Sequence, residues 1–513
     1  MRNHPASLAL VSAAALAITA CVDPTTPPQR RAAAPQFSAQ SQGRSALDII
    51  EEDIDSGLLD RENGNRYRQY AVSDPSRLPR RYRGGAVGKD ATLSMVRMAR
   101  DWDRLSAATR QEILDLRASG FGALKETHET IHFVLHYARQ GNHAVPDIDG
   151  NGNGVPDFID EAAASLERVW DTEVSRLGYP SPVGTPAQRF HIYYQDMAYY
   201  GYASPENVQL TATSPVALGT ATAYIVVEND FYGFPPNDED RTGTEVVRSG
   251  ALKVTQAHEF MHAIQFAINV YQSGWLMESH ATWAEDAVYD VINDWHWYIP
   301  SFLATPDYPI FSRYLYGAAF FQHWLSESLG TDALRQIWLA ARTASTPDAV
   351  RNVAFGGSWE AMKQFAPVEY LLDISDYTSE ATSVVPAPRN FIRALHQSYP
   401  VNVTVPASSK RLANRAPWGL GANFIEFVPA GAGTLTVSFD GEDGYAWRAY
   451  LAATPLSGGP PVVNEITLDA GGAGSASISG FGTRFARVAL APTIADRAGT
   501  AVPFSYGATA STR

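Results

Sequence analysis

Cysteine is nearly missing from this chain of 513 residues, with Cys21 standing alone. A single thiol excludes intramolecular disulfides and any latency based on a cysteine held over a metal, so apolar cores and bound ions must carry the stability. Basic residues are also short. Lys and Arg number 40 against 54 Asp and Glu, a formal net charge of −14, which leaves no cationic face to hold phosphates and argues against nucleic acid as a partner. The apolar stretch from Leu8 to Ala17 falls short of the about 20 residues a membrane-crossing helix needs. Hydrophobic residues nevertheless make up 45% of the chain, ample for two or three cores.

The most informative segment is His258-Glu259-Phe260-Met261-His262. On a helix, positions i and i+4 share one face, so both imidazoles can reach one ion while Glu259 sits beside an open coordination position. The flanking pattern predicts that helix. Val254, Ala257, Met261, Ile264 and Ile268 recur at three- and four-residue steps, and no Gly or Pro interrupts from Leu252 to Tyr271. Two neutral histidines and a carboxylate leave zinc one open position, and water there ionises near pH 7 (about 7) to give a nucleophile whose proton Glu259 can take.

Further along, Trp275-Leu276-Met277-Glu278-Ser279-His280-Ala281-Thr282-Trp283-Ala284-Glu285 resembles the segment that carries the third ligand in gluzincin metallopeptidases. The resemblance implies Glu278 as third zinc ligand with Glu285 in reserve, and Glu285 and Asp286 orienting the ligand histidines. Tyr314-Leu315-Tyr316-Gly317 resembles the gluzincin segment whose tyrosine stabilises the oxyanion, which implies Tyr314 first and Tyr316 second; packing of an aromatic helix through Phe320, Phe321 and Trp324 is the competing explanation. With HFVLHY, LERVWDTEV and AYIVVEND these segments resemble a family of secreted bacterial metalloproteases of myxobacterial type, over roughly residues 45 to 510. Aminopeptidase-type gluzincins carry G-x-M-E-N upstream, where this chain has Val226-Val227-Glu228-Asn229, so the resemblance implies an endopeptidase acting on protein or peptide substrates. A degenerate peptidase that binds at a surface, and a non-peptidase zinc hydrolase, are the alternatives.

A second ion site is expected at Asp149, Asn151, Asn153, Val155, Asp157 and Asp160. These occupy loop positions 1, 3, 5, 7, 9 and 12, with Gly154 at 6 and a backbone carbonyl at 7, the spacing of a calcium loop, and a helix is expected from Ala162 to Leu177. His128, His132 and His136 look like a metal comb. In a strand residues four apart are separated by about 13 Å, so these are read as strand-face residues of a strand from Ile131 to Tyr137.

Residues 1–20 read as a lipoprotein signal, with Ile18-Thr19-Ala20-Cys21 as the lipobox and Cys21 the lipidated residue that anchors an exported protein to a membrane. Val22 after it resembles the sorting pattern of outer-membrane lipoproteins. Residues 21–45 read as a flexible tether, and 46–126 as a polar, helical, propeptide-like or accessory region carrying no chemistry, with Arg80-Arg81-Tyr82-Arg83 as a basic turn or processing site. A zinc peptidase domain is expected over 127–385, with strands at Phe190–Gln195 and at Ala223–Glu228, the latter an edge strand for substrate pairing, and a surface loop from Asn237 to Thr244. Helical patterning weakens after Trp338. A boundary at Pro386-Ala387-Pro388 then leads into alternating runs that predict a β-sandwich over 386–513. The fold class expected is α+β, zincin-like, with a C-terminal β-sandwich.

Overall fold

Short-range signals set the first helices. In the computed structural model, α1 (Ala46–Asp55) opens on a reciprocal cap, in which Ser45 accepts from the Asp48 amide and Asp48 from the Ser45 amide. Asp60 caps α2 (Arg61–Ser73). A three-residue strand, β1 (Gly88–Asp90), leads into α3 (Thr92–Asp101), and Ser106 caps α4 (Ala107–Ala123). The structure describes residues 43–212, 217–240, 248–373, 397–400, 416–429 and 431–512, all within one compact unit, Pro35–Arg513. The export signal, the Cys21 lipidation site, nearly all of the tether and the Pro386-Ala387-Pro388 boundary lie outside the described residues.

The central mixed sheet adds β2 (Glu126–Glu129), β3 (Phe133–Tyr137), β4 (Phe190–Gln195), β5 (Tyr199–Ala212) and β6 (Leu218–Glu228), in the order β1-β5-β6-β4-β3-β2. β3, β4 and β6 run parallel, β5 is antiparallel to β6, and β1 is parallel to β5. The strand predicted at Ala223–Glu228 forms, but it is interior. Strands β4 and β5 take up both of its edges, so neither is free; β5 lies outside it, and part of β5 is covered by β1.

Alternation along these strands divides two cores. Ala203, Ile225 and Val227 face one side, where they pack with α5 (Asp157–Trp170) and α6 (Ser249–Asn269). Tyr202, Tyr224 and Val226 face the other and share a core with Leu47, Ile50, Met95, Met98 and Ile113. The region 46–126 is therefore packed on the sheet. Six further helices follow: α7 (Gly274–Val288), α8 (Ile299–Leu303), α9 (Ala319–Leu329), α10 (Thr331–Ala341), α11 (Thr346–Ala354) and α12 (Phe365–Leu371). Helix thus persists well past Trp338, in pieces of 9 and 7 residues that are too short to show a clear period.

Beyond it, β7 (Gln397–Pro400), β8 (Ile425–Val428), β9 (Gly433–Gly441), β10 (Trp447–Ala453), β11 (Val462–Glu465), β12 (Ala473–Phe481), β13 (Val488–Ile494) and β14 (Phe504–Thr512) form two sheets, β11-β10-β13-β8-β7 and β12-β9-β14. The pairs are antiparallel apart from β7 with β8. Phe427, Leu451 and Leu490 from one sheet and Val437, Phe439 and Phe504 from the other fill a common core. Among the described residues no helix is long and apolar enough to cross a membrane.

Two local expectations are corrected. The Ile131–Tyr137 strand is the second half of a hairpin: His128 lies on β2, and His132 lies in the turn, stacked on Trp170 at 4.1 Å with Nδ1 2.6 Å from Glu167. The Asn237–Thr244 loop, as far as Asp240, is only partly a surface loop: Glu239 is exposed, but Asn237 and Asp240 are buried, and the Asp240 carboxylate accepts from the Gly250 and Ala251 amides at 3.0 and 2.9 Å. It supplies the cap that Arg248 cannot give α6.

Candidate metal centre

Helix α6 is buried on nearly all sides and runs between the sheet and α7, so its polar side chains are carried into the interior. Its approach to the sheet depends on Gly201, where a Cβ would lie 2.9 Å from both Thr255 Cγ2 and the Val226 carbonyl oxygen, and 3.1 Å from Glu259 Cγ. Any larger residue there would push Glu259 away.

His258, His262 and Glu278 meet as the sequence implies. Glu278 Oε2 lies 3.2 Å from His258 Nε2 and 3.4 Å from His262 Nε2, and all three side chains are at most 1% exposed. The ring protons are assigned by the partners behind them. Gln265 Nε2 donates to the Met277 carbonyl at 3.0 Å, which turns Gln265 Oε1 toward His262 Nδ1 at 2.8 Å, so that Nδ1 must carry the proton. Glu285 Oε1 lies 2.7 Å from His258 Nδ1 and fixes that ring in the same tautomer. Both Nε2 lone pairs thus point at one spot. Glu285 therefore acts behind His258, while Asp286 accepts from Trp295 Nε1 at 3.1 Å.

Glu285 is itself held by Lys89, whose ammonium lies 3.0 Å from Glu285 Oε2 and 2.6 Å from Asp294 Oδ2. Burial works against the charge on Lys89, but the two carboxylates outweigh it and raise its pKa. Thr92 Oγ1 donates to Glu259 Oε2 at 2.9 Å and also accepts from the Ala203 amide at 2.9 Å. Burial, aided by the charge of Asp90, pushes Glu259 up to about 8.

Asp90 joins the centre from β1. Its Oδ2 lies 3.7 Å from His258 Nε2 and accepts from the Tyr316 hydroxyl at 3.0 Å, while Oδ1 accepts from the Thr92 amide. One ligand atom from each of Asp90, His258, His262 and Glu278 fits within 4.8 Å of all the others, the one such group of acidic and histidine side chains among the described residues. The reading of residues 46–126 as free of chemistry therefore fails at Lys89, Asp90 and Thr92. Their partners are distant in sequence, and no local pattern marks them. Gln265 was equally overlooked, although its place three residues after His262 on one helix face was a usable signal.

Tyr314-Leu315-Tyr316-Gly317 forms a turn ahead of α9 rather than its first residues. Gly317 is required there, since a Cβ would meet the Tyr298 carbonyl at 2.4 Å. Tyr316 reaches the centre, its ring 6.3 Å from that of His258, whereas Tyr314 packs on Tyr316 at 5.7 Å. Both line a cavity of about 810 Å³ with Asp90, Trp297 and Tyr298.

His262 Nε2, Glu278 Oε1 and Glu259 Oε1 are buried without a hydrogen-bond partner, at a cost that an ion and its water would remove. The nitrogen and oxygen donors suit zinc. In the Asp149–Asp160 loop, Asp149 accepts from the amides of Gly152, Asn153 and Gly154, and Asp160 Oδ2 accepts from the side chains of Asn151 and Asn153 at 2.8 Å. Asp157 accepts from the Gly150 amide, and Val155 donates its amide to Asn153. The loop wraps as its spacing implies, and α5 starts at Asp157, five residues before the predicted Ala162.

No curated protein matches the chain. A solved structure of a family GH115 4-O-methyl-alpha-glucuronidase with specificity for decorated arabinogalactans is similar at 10% identity over 50% of this chain and 39% of its own, with a TM-score of 0.14, a likeness that carries no argument. This chain spans well under half the length of that glucuronidase. His258, Glu259, His262 and Glu278 fall within the segment that a family model matches, whereas Lys89, Asp90 and Thr92 precede it. On that match, over residues 123–454, the chain belongs to the family described as "Family of unknown function (DUF6055)".

Proposed function

We propose that this chain is an exported zinc metallopeptidase, an endopeptidase built on a zincin-like sheet and helix pair. The observation that carries the reading is the convergence of His258 Nε2, His262 Nε2 and Glu278 Oε2 beside the unpartnered Oε1 of Glu259, all buried. Zinc held by those three residues would polarise the scissile carbonyl and activate water for attack. Glu259 Oε1 takes the proton from the attacking water and passes it to the leaving amine. Tyr316, or Tyr314 behind it, donates its hydroxyl proton toward the oxyanion. Gln265 and Glu285 hold the two imidazoles in the ligating tautomer. The all-oxygen donor set of Asp149, Asn151, Asn153, Val155, Asp157 and Asp160 suits Ca2+ as a structural ion, and Cys21 is the proposed site of a lipid anchor.

The test is cleavage of an unfolded protein mixture with product sequencing, for the parent and Glu259→Gln, alongside metal analysis. Glu259→Gln should keep stoichiometric zinc and lose cleavage. Turnover within tenfold of the parent would remove Glu259 from the mechanism, and a metal-free parent would remove the reading.

A further inference from the structure

We infer that residues 88–92 are a latency strap, in which Asp90 closes the metal centre as a fourth protein ligand and β1 occupies the edge of β5 where an extended peptide would pair. The inference rests on the zinc reading of the same centre. Catalytic zinc sites keep one position open, whereas four protein ligands make a closed, structural set. With Asp90 counted, this centre is closed. Yet a buried glutamate with an unpartnered oxygen stands beside it, an arrangement that costs free energy and serves no structural end. The two facts are reconciled if Asp90 leaves when the enzyme works.

The backbone around Asp90 points the same way. β1 is only three residues long and adds to the outer side of β5, with Gly88 opposite Tyr199 and Asp90 opposite Gly201. The Gly88 amide donates to the Ala198 carbonyl at 2.9 Å and the Ala91 amide to the Gly201 carbonyl at 3.2 Å. This is how an added peptide strand engages a sheet edge, here beside Gly201, whose lack of a side chain leaves room for Glu259. The next residues complete the block. Thr92 binds Glu259 Oε2, and the Tyr316 hydroxyl, the nearest oxyanion donor, is spent on Asp90. One five-residue segment thus engages the ligand set, the base and the hydroxyl.

What secures the strap is unequal on its two sides. Downstream, α3 is packed in the core beneath the sheet. Upstream, Gly84 and Gly85 are exposed, and so are Arg80, Arg81 and Arg83 before them. Cleavage by a protease with basic specificity at that turn would free the upstream end of β1 while α1–α4 could remain packed, leaving the buried pairing of Lys89 with Glu285 and Asp294 as the contact that must also yield for Asp90 to leave.

The test uses the full exported chain with Co2+ in place of zinc, and acetohydroxamate as a small metal-chelating probe read from the visible spectrum. Asp90→Asn and Asp90→Ala are compared with the parent. The amide of Asn can still accept from Thr92 and keep the start of α3, so it guards against a folding defect. The strap predicts that both variants keep the metal, bind the probe at least tenfold more tightly than the parent, and cleave unfolded protein at least tenfold faster. Trypsin nicking at Arg80–Arg83 should move the parent in the same direction. Loss of metal in both variants would make Asp90 a constant ligand and overturn the strap, as would equal probe affinity in parent and variants. Failure of the parent to take up metal at all would instead overturn the underlying zinc reading.

Discussion

The ammonium of Lys89 stands 3.0 Å from Glu285 Oε2 across a separation of 196 residues, and the other oxygen of the same carboxylate orients His258. The strand that carries Asp90 is thereby tied to the support of His258. Lys89, Glu285 and Asp294 are each at most 3% exposed, so none of these charges has water to fall back on.

Lys89→Met should therefore destabilise the protein by about 3–5 kcal/mol, because it leaves two buried carboxylates without their cation. Urea denaturation measures this. Adding Glu285→Gln and Asp294→Asn to Lys89→Met should recover a good part of the loss, and a cost below about 1 kcal/mol for Lys89→Met alone would show that water reaches the pair.

Glu278→Ala should release zinc, whereas Glu285→Ala should retain it with affinity or activity weakened about 10–100-fold, since Glu285 touches His258 only from behind. Metal analysis of the two purified proteins decides between them. The opposite pattern would transfer the third ligand to Glu285.

Tyr316→Phe should lower turnover of the activated enzyme about a hundredfold with little change in KM, as for one lost oxyanion donor. Tyr314→Phe should have a smaller effect, because Tyr314 reaches the centre only through the ring of Tyr316. A larger loss in Tyr314→Phe would restore the order implied by the sequence resemblance.

Calcium should raise the melting temperature of the parent, and Asp149→Ala combined with Asp157→Ala should abolish that response, because an ion bound only by the folded state stabilises it. Differential scanning calorimetry with and without Ca2+ reads the shift. A parent indifferent to Ca2+ would reduce the loop to a polar turn held by the hydrogen bonds of Asp149 and Asp160.

By itself the sequence determined whatever depends on neighbours a few residues away. Helical spacing set His258 and His262 on one face of α6, oxygen spacing wrapped the loop from Asp149 to Asp160, and alternation with Gly-rich turns marked β8, β9, β10 and β12–β14. Pairing partners were beyond it. The run at Ala223–Glu228 read as an edge because nothing local records that β5 lies outside β6, and the region 46–126 read as inert because Asp90 and Thr92 meet their partners only after the chain closes, across 167 residues for Thr92 and Glu259 and 226 for Asp90 and Tyr316. Tertiary structure alone decided that a third polypeptide segment enters the candidate metal centre, since that proximity comes from β1 adding to β5 and from the core shared by Leu47, Met95, Tyr199 and Tyr202. Burial of that apolar surface holds a carboxylate against two histidines and a glutamate, a contact that no periodicity in the sequence encodes.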